Sequence, residues 1–239
     1  MSEAQYKRVL IKVSGEALAA DKKTGLDFDF ITRVANAVKT CSDMGVEIGI
    51  VVGGGNFWRG VKDGGGKVER TRADYMGMLA TTMNALALAD VLQGVGVEAR
   101  VQTSIDMIKI AEPYTRNKAV SHLSKGRVVI FACGTGNPFF STDTGAVLKA
   151  AEIGAEVILL AKNIDGVYDA DPAKVKDAKK FDSINYDEVL ARGLAVMDTA
   201  ATALAKENNI PVIVFAVKEP DNIIKVLCGE KIGSYVGVK

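Results

Sequence analysis

A chain of 239 residues with 30 basic and 29 acidic side chains carries almost no net charge, so neither nucleic acid nor a membrane surface is attracted by charge alone. Its 48% apolar and 25% charged composition is that of a globular protein, and its length suits one α/β domain, 1–239, better than two small ones. Three dispersed cysteines (Cys41, Cys133, Cys228), no CxxC pair and a single histidine speak against a disulfide framework and a zinc site, and fit a reduced, cytoplasmic setting. The start "MSEAQYKRVLIKVSGEAL" has no long apolar leader core, and no apolar run approaches the roughly 18 residues of a membrane span.

In chain order, "RVLIKV" (8–13) is the first of six apolar, β-branched runs. A helix follows from an N-cap at Asp27, with Phe30, Ile31, Val34, Val38 and Cys41 at helical spacing and Gly45 as its stop. Next come a strand at 46–52 and the glycine-dense "GVKDGGGKVERTRADY" (60–75), read as a mobile loop. A second helix runs through "YMGMLATTMNALALADVLQG", with Met76, Leu79, Met83, Leu86 and Val91 in register. Strands at 97–103, 127–132, 156–161 and 211–216 alternate with helices at "TGAVLKAAEIG" and "DTAATALAKENN". Runs apolar throughout imply strands buried on both faces, so the pattern predicts a three-layer αβα sandwich around an open, mostly parallel sheet with right-handed crossovers.

Ligands of such sheets sit beyond the carboxyl ends of the strands, and four of those ends are unusual here. Lys12 interrupts the first strand just before Val13, Ser14 and Gly15; a buried lysine is costly unless its ammonium meets an anion or snorkels to the edge. Gly53, Gly54 and Gly55 leave the second strand, allowing positive φ, close backbone approach or an amide nest, with Arg59 near enough to fork onto a phosphate. The plainer alternative is a glycine turn beside a solvated arginine. "GTGNPFFSTDT" gathers amides, hydroxyls and two rings that suit a polar flat ligand, or else a core phenylalanine pair with a helix cap at Ser141 or Thr142. In "DGVYDADP", Asp165, Asp169 and Asp171 miss the calcium-loop spacing and read equally as a turn held by Asx bonds.

No GxxxxGK[ST] and no GxSxG occur, and His122 lies in an ordinary helical context. P-loop nucleotide hydrolysis and serine-histidine hydrolysis are therefore set aside.

Taken in order, "KVSGEAL", "VVGGGNFWRG", "ADYMGMLAT", "GTGNPFFSTD", "DGVYDADP" and "VMDTAA" closely resemble the bacterial uridylate kinase family, a branch of the amino acid kinase superfamily. Each motif alone is weak; six in sequence, over essentially the whole chain, are specific. The resemblance implies transfer of the γ-phosphoryl of ATP directly to UMP, giving UDP and ADP in pyrimidine nucleotide synthesis, with Mg²⁺ accompanying ATP and no residue-bound metal. It implies that Gly54, Arg59, Asp74 and Thr135, Gly136, Asn137, Pro138, Phe139, Phe140, Ser141 and Thr142 hold UMP. By the same match Lys12, Val13, Ser14, Gly15, Gly55, Arg59, Lys162, Asn163, Tyr168 and Asp171 hold ATP, and Lys12, Arg59, Asp143 and Asp198 carry the catalytic step.

It further implies a cytoplasmic homohexamer, for which the apolar second helix offers an interface, and it raises GTP and UTP as effectors. Two segments depart from the family pattern: relatives often carry threonine near Lys162, and "ALAADKKTGLDF" differs from the glycine-containing loop of GTP-activated members. Two rival readings are a superfamily member acting on an amino acid, carbamate or isoprenoid phosphate, and a nucleotide-binding protein without turnover.

Overall fold

The computed structural model describes residues 3–22, 24–59 and 66–238. In chain order the strands are β1 (Arg8–Val13), β2 (Glu47–Val52), β3 (Ala99–Thr103), β4 (Glu112–Pro113), β5 (Val128–Ala132), β6 (Val157–Lys162), β7 (Val167–Tyr168), β8 (Lys180–Phe181), β9 (Ser183–Asn185), β10 (Val212–Ala216) and β11 (Ser234–Gly237). Nine of them form one sheet in the order β4-β3-β5-β2-β1-β6-β10-β11-β9, and only β11 runs antiparallel to its neighbour β10. β7 and β8 pair as a separate antiparallel ribbon. The helices are α1 (Gly15–Ala19), α2 (Phe28–Asp43), α3 (Arg70–Gly94), α4 (Arg116–Leu123), α5 (Thr142–Ile153), α6 (Tyr186–Arg192), α7 (Thr199–Glu207) and α8 (Asn222–Leu227).

Strand periodicity divides the central strand between two cores. Val9, Ile11 and Val13 join α2, α3 and α8 on one face, while Leu10 joins α4, α5, α6 and α7 on the other. Lys12 shares the face of Leu10, which aims it at α5 rather than α2. The expected sandwich is thus present, and Gly49 of β2 lets α5 come close: a Cβ there would lie 3.0 Å from Ile153 and from Phe131.

Asp27 caps α2 as the sequence predicts, accepting from Phe30 N at 3.0 Å. The second helix begins at Arg70, five residues earlier than its apolar pattern, because Glu69 accepts from the amides of Thr71 and Arg72 at 3.0 and 3.2 Å. Of the remaining part of the expected mobile loop, residues 60–65 lie outside the described residues. α3 is also long and apolar enough to cross a membrane by length and composition, contrary to the reading of the sequence. It is a sheet-packed helix: Ala85, Leu88, Ala89 and Leu92 enter the core, and the small side chains let it lie close. Met76, Leu79, Met83 and Leu86 are consequently left facing outward.

Candidate functional site

Because β5, β2, β1 and β6 are adjacent and parallel, their carboxyl ends deliver Cys133 onward, Gly53 onward, Lys12 and Lys162 to one edge of the sheet. Lys12 is 8% exposed, and its ammonium lies 2.8 Å from Asp143 Oδ1. Asp143 stands in the first turn of α5, where the helix dipole favours a carboxylate. The lysine has therefore found an anion inside the fold and does not snorkel away. Asp143 Oδ1 is otherwise without a hydrogen bond among the described residues, so this is a charge contact rather than an aligned bond.

Asp198 caps α7 by accepting from Ala201 N at 2.9 Å, and also accepts from the hydroxyls of Ser141 and, at 3.2 Å, Thr144. It thereby joins the starts of α5 and α7. Lys162, expected among the ATP contacts, is brought into this cluster as well, donating to Val196 O. Burial pushes its ammonium below the usual lysine value, Asp143 and Asp198 partly restore it, and Lys12 adds to the depression. Its neighbour Asn163 is exposed.

Of the three glycines, Gly53 and Gly54 work by close approach, while a Cβ on Gly55 would make only ordinary contacts. None of Gly53, Gly54 and Gly55 has positive φ, so the left-handed nest that the sequence allowed is not formed. Instead a Cβ on Gly15 would lie 2.7 Å from both Gly53 O and Gly55 N, and one on Gly54 would lie 2.7 Å from Gly77 O. The Ser14–Gly15 turn, the glycine loop and α3 are in backbone contact. Arg59 folds back over this loop, its guanidinium paired with Glu16 of α1 and its Nε 3.5 Å from Gly55 O.

Beside the loop opens a cavity of about 260 Å³. Of the residues expected to hold UMP, Gly54, Asp74, Thr135, Phe140, Ser141 and Thr142 line it, together with Gly55. Arg59 does not, and neither do Gly136, Asn137, Pro138 and Phe139. The last four build the wall's support: Gly136 takes φ +79° against Ser104 O, and Asn137 N donates to Thr135 Oγ1 at 3.2 Å. Phe139, at φ +70° and 68% exposed, gives its amide to Asp74 at 2.9 Å and its ring to Arg70. Phe140 is 52% exposed, so the core phenylalanine pair is excluded, whereas the helix cap at Ser141 is real, accepting from Thr144 N at 3.1 Å.

Trp58, Ala73, Gly77, Met78, Thr81, Cys133 and Gly134 complete the lining and were not among the site residues expected from the sequence. Asp74, Gly77 or Met78, and Thr81 recur at helical spacing, the one signal that could have exposed the helical part of the lining. Cys133 holds φ +64°, its amide donating to Thr81 Oγ1 at 2.8 Å; burial raises its thiol, which keeps the sulfur neutral.

Tyr168 and Asp171 do not line this cavity. Tyr168 donates to Asp165 at 2.8 Å, Asp169 accepts from Lys179 N at 2.7 Å, and Asp171 accepts from Ala173 N at 3.0 Å. Here the turn alternative describes the carboxylates. Among the described residues no three His, Cys, Asp or Glu side chains gather as a metal-binding group.

The sequence pattern of the amino acid kinase family matches residues 7–216. The chain belongs to that family. A solved UMP kinase from Bacillus anthracis is 40% identical, with TM-score 0.93 over 97% of this chain and 96% of that one. A UMP kinase from Ureaplasma parvum is 36% identical, with TM-score 0.91 over 99% and 100%. A uridylate kinase from Archaeoglobus fulgidus is 28% identical, with TM-score 0.76 over 96% and 99%. Within the amino acid kinase family the chain stands with the UMP kinases, and it is a phosphotransferase of that kind.

Proposed function

We propose that this amino acid kinase phosphorylates UMP from ATP, by direct transfer between phosphates. The observation that carries the reading is Lys12, buried at the end of the central strand against Asp143, at the edge where the 260 Å³ polar and aromatic cavity opens. Phosphoryl transfer needs alignment and positive charge around the transferred group, and an anionic acceptor needs no general base. Lys12 and Lys162 supply that charge, and Asp143 and Asp198 hold the lysines and the two helix starts in place. Arg59 exchanges Glu16 for a phosphate. Asp74, Thr135 and Thr142 meet the uridine side, with Phe140 as apolar wall. Ser14, Gly15 and Gly55 present backbone to the ATP phosphates, and Val13, Asn163, Tyr168 and Asp171 border the nucleotide more loosely.

Mg²⁺ bound with ATP would neutralise its β- and γ-phosphate oxygens. The donor set suits an ion held mainly by the nucleotide, since magnesium takes one or two carboxylates beside substrate phosphates and no larger cluster is built among the described residues. The outward stripe of Met76, Leu79, Met83 and Leu86 supports self-association through α3, as a step toward a homohexamer. Sedimentation reads this directly: a species of six chain masses supports the hexamer, and a monomer at micromolar concentration removes it.

An ADP-release assay with UMP, CMP, dUMP, acetylglutamate, aspartate and carbamate as acceptors tests the activity. UMP is expected to give the highest kcat/KM. Preferred turnover of a non-nucleotide sinks the assignment, and binding of UMP without ADP release favours a non-catalytic protein. The same assay with GTP or UTP added decides whether either is an effector.

A further inference from the structure

Two buried amides take no part in the roles above. Asn56, 2% exposed, directly follows the three glycines, and Asn84, fully buried, lies midway along α3. Asn56 Nδ2 donates to Asn84 Oδ1 at 2.9 Å, and Asn84 Nδ2 donates back to Asn56 Oδ1 at 2.7 Å. Each amide also reaches a backbone carbonyl: Asn84 to Gly53 O at 2.6 Å and Asn56 to Gly25 O at 2.7 Å. All four amide hydrogens are used, and the two carbonyls fix both orientations, because a flipped amide would set oxygen against oxygen.

The pair joins three pieces of chain. Gly53 O belongs to the glycine loop; Gly25, whose amide also donates to Asn56 O at 3.1 Å, belongs to the turn after α1; Asn84 belongs to α3. Gly15 packs closely on the same amide, since a Cβ there would lie 2.7 Å from Asn56 Oδ1. Beside Asn84 on the helix, Ala85 and Leu88 enter the core. A polar group kept there at the cost of desolvation must return something other than burial.

We propose that Asn84 and Asn56 are positioning residues, a two-amide clasp that sets the glycine loop for phosphoryl transfer and couples it to the Gly25 turn. This rests on the phosphotransfer reading above. Neither residue touches the transferred group; they act through the backbone of Gly53–Gly55 and, beyond it, Arg59.

The test compares Asn84→Asp and Asn84→Leu with the wild type across pH. Asn84→Asp keeps the shape but removes both donors, and burial raises the pKa of its new carboxyl, so protonation returns one O–H donor as pH falls. Its kcat is expected to drop about tenfold or more at neutral pH, with both KM values within about threefold, and to recover toward the wild type on acidification. Asn84→Leu is expected to lose as much and to show no recovery. Wild-type kcat in either variant, or equal losses with no pH dependence, overturns the proposal. Should Asn84→Asp fail to fold, Asn56→Asp is judged by the same criteria. An inactive wild type on every acceptor refutes the phosphotransfer reading and the clasp with it. An active wild type with indifferent variants refutes the clasp alone.

Discussion

The cavity wall around Gly54, Asp74 and Cys133 is braced by polar groups from α3, whereas the 165–181 segment spends its carboxylates on its own turn. In the wall, Thr81 holds the Cys133 amide, Asp74 holds the Phe139 amide and Asn84 holds Gly53 O. Each bond crosses between distant parts of the sequence, so the wall's shape is set by tertiary structure. In the 165–181 segment, Tyr168 binds Asp165, Asp169 binds Lys179 and Asp171 binds Ala173. Those bonds span ten residues or fewer and exist whatever the rest of the site does. A motif residue between cross-chain partners is expected to matter strongly for turnover; one satisfied within its own turn is expected to matter weakly.

The largest effect is expected outside both regions, at the buried pair of Lys12 with Asp143. Lys12→Ala should lower kcat by about 10²–10³-fold with the fold retained, read from single-turnover ADP release and a thermal melt. Near-normal turnover in a folded variant would remove Lys12 from the transition state. On the wall, Gly54→Ala forces a Cβ to 2.7 Å from Gly77 O, so a loss of about 1–3 kcal/mol in stability is expected by denaturant titration. An unchanged midpoint would show that α3 can retreat and that the wall is not rigid.

Asp198→Asn separates cap from charge. Asparagine caps as well as aspartate, so stability should hold within about 1 kcal/mol. The loss of negative charge beside Lys162 should still lower kcat, by about tenfold. Equal stability with equal kcat would reduce Asp198 to a helix cap.

Lys162 gives a pH signature. Its pKa is depressed in the fold, so between the folded and unfolded values the unfolded chain binds more protons, and stability rises with pH through that window below the ordinary lysine value. Lys162→Met should flatten that alkaline rise in melting temperature; an identical slope would mean that the lysine is not burdened by burial. The smallest effect is expected at Tyr168→Phe, which removes only the bond to Asp165: KM for ATP should change by less than about threefold, with kcat kept. A tenfold loss there would erase the contrast between the two regions.

The six long strands were legible to within two residues because each is buried on both faces and reads as an unbroken apolar run. β4, β7, β8, β9 and β11 were not, being two to four residues long with no run to detect, and the antiparallel seat of β11 comes from its pairing with Val212–Val214. Lys12 and the three glycines stood out because they break an apolar pattern. Glu16, Thr81 and Asn84 sit in helices and Cys133 just past a strand, and their importance lies in partners 28 to 52 residues away, which no local pattern encodes. The glycines were found for a partly wrong reason, since close approach at Gly53 and Gly54, and positive φ at none of them, is what the fold uses.

The most direct test of the central claim follows the label of γ-labelled ATP mixed with UMP under single-turnover conditions. The account predicts that the label moves from ATP into UDP, with none on the protein at any time, and that Lys12→Ala slows this one transfer. Label retained on the protein, released as inorganic phosphate, or left on ATP while UMP is bound would contradict it.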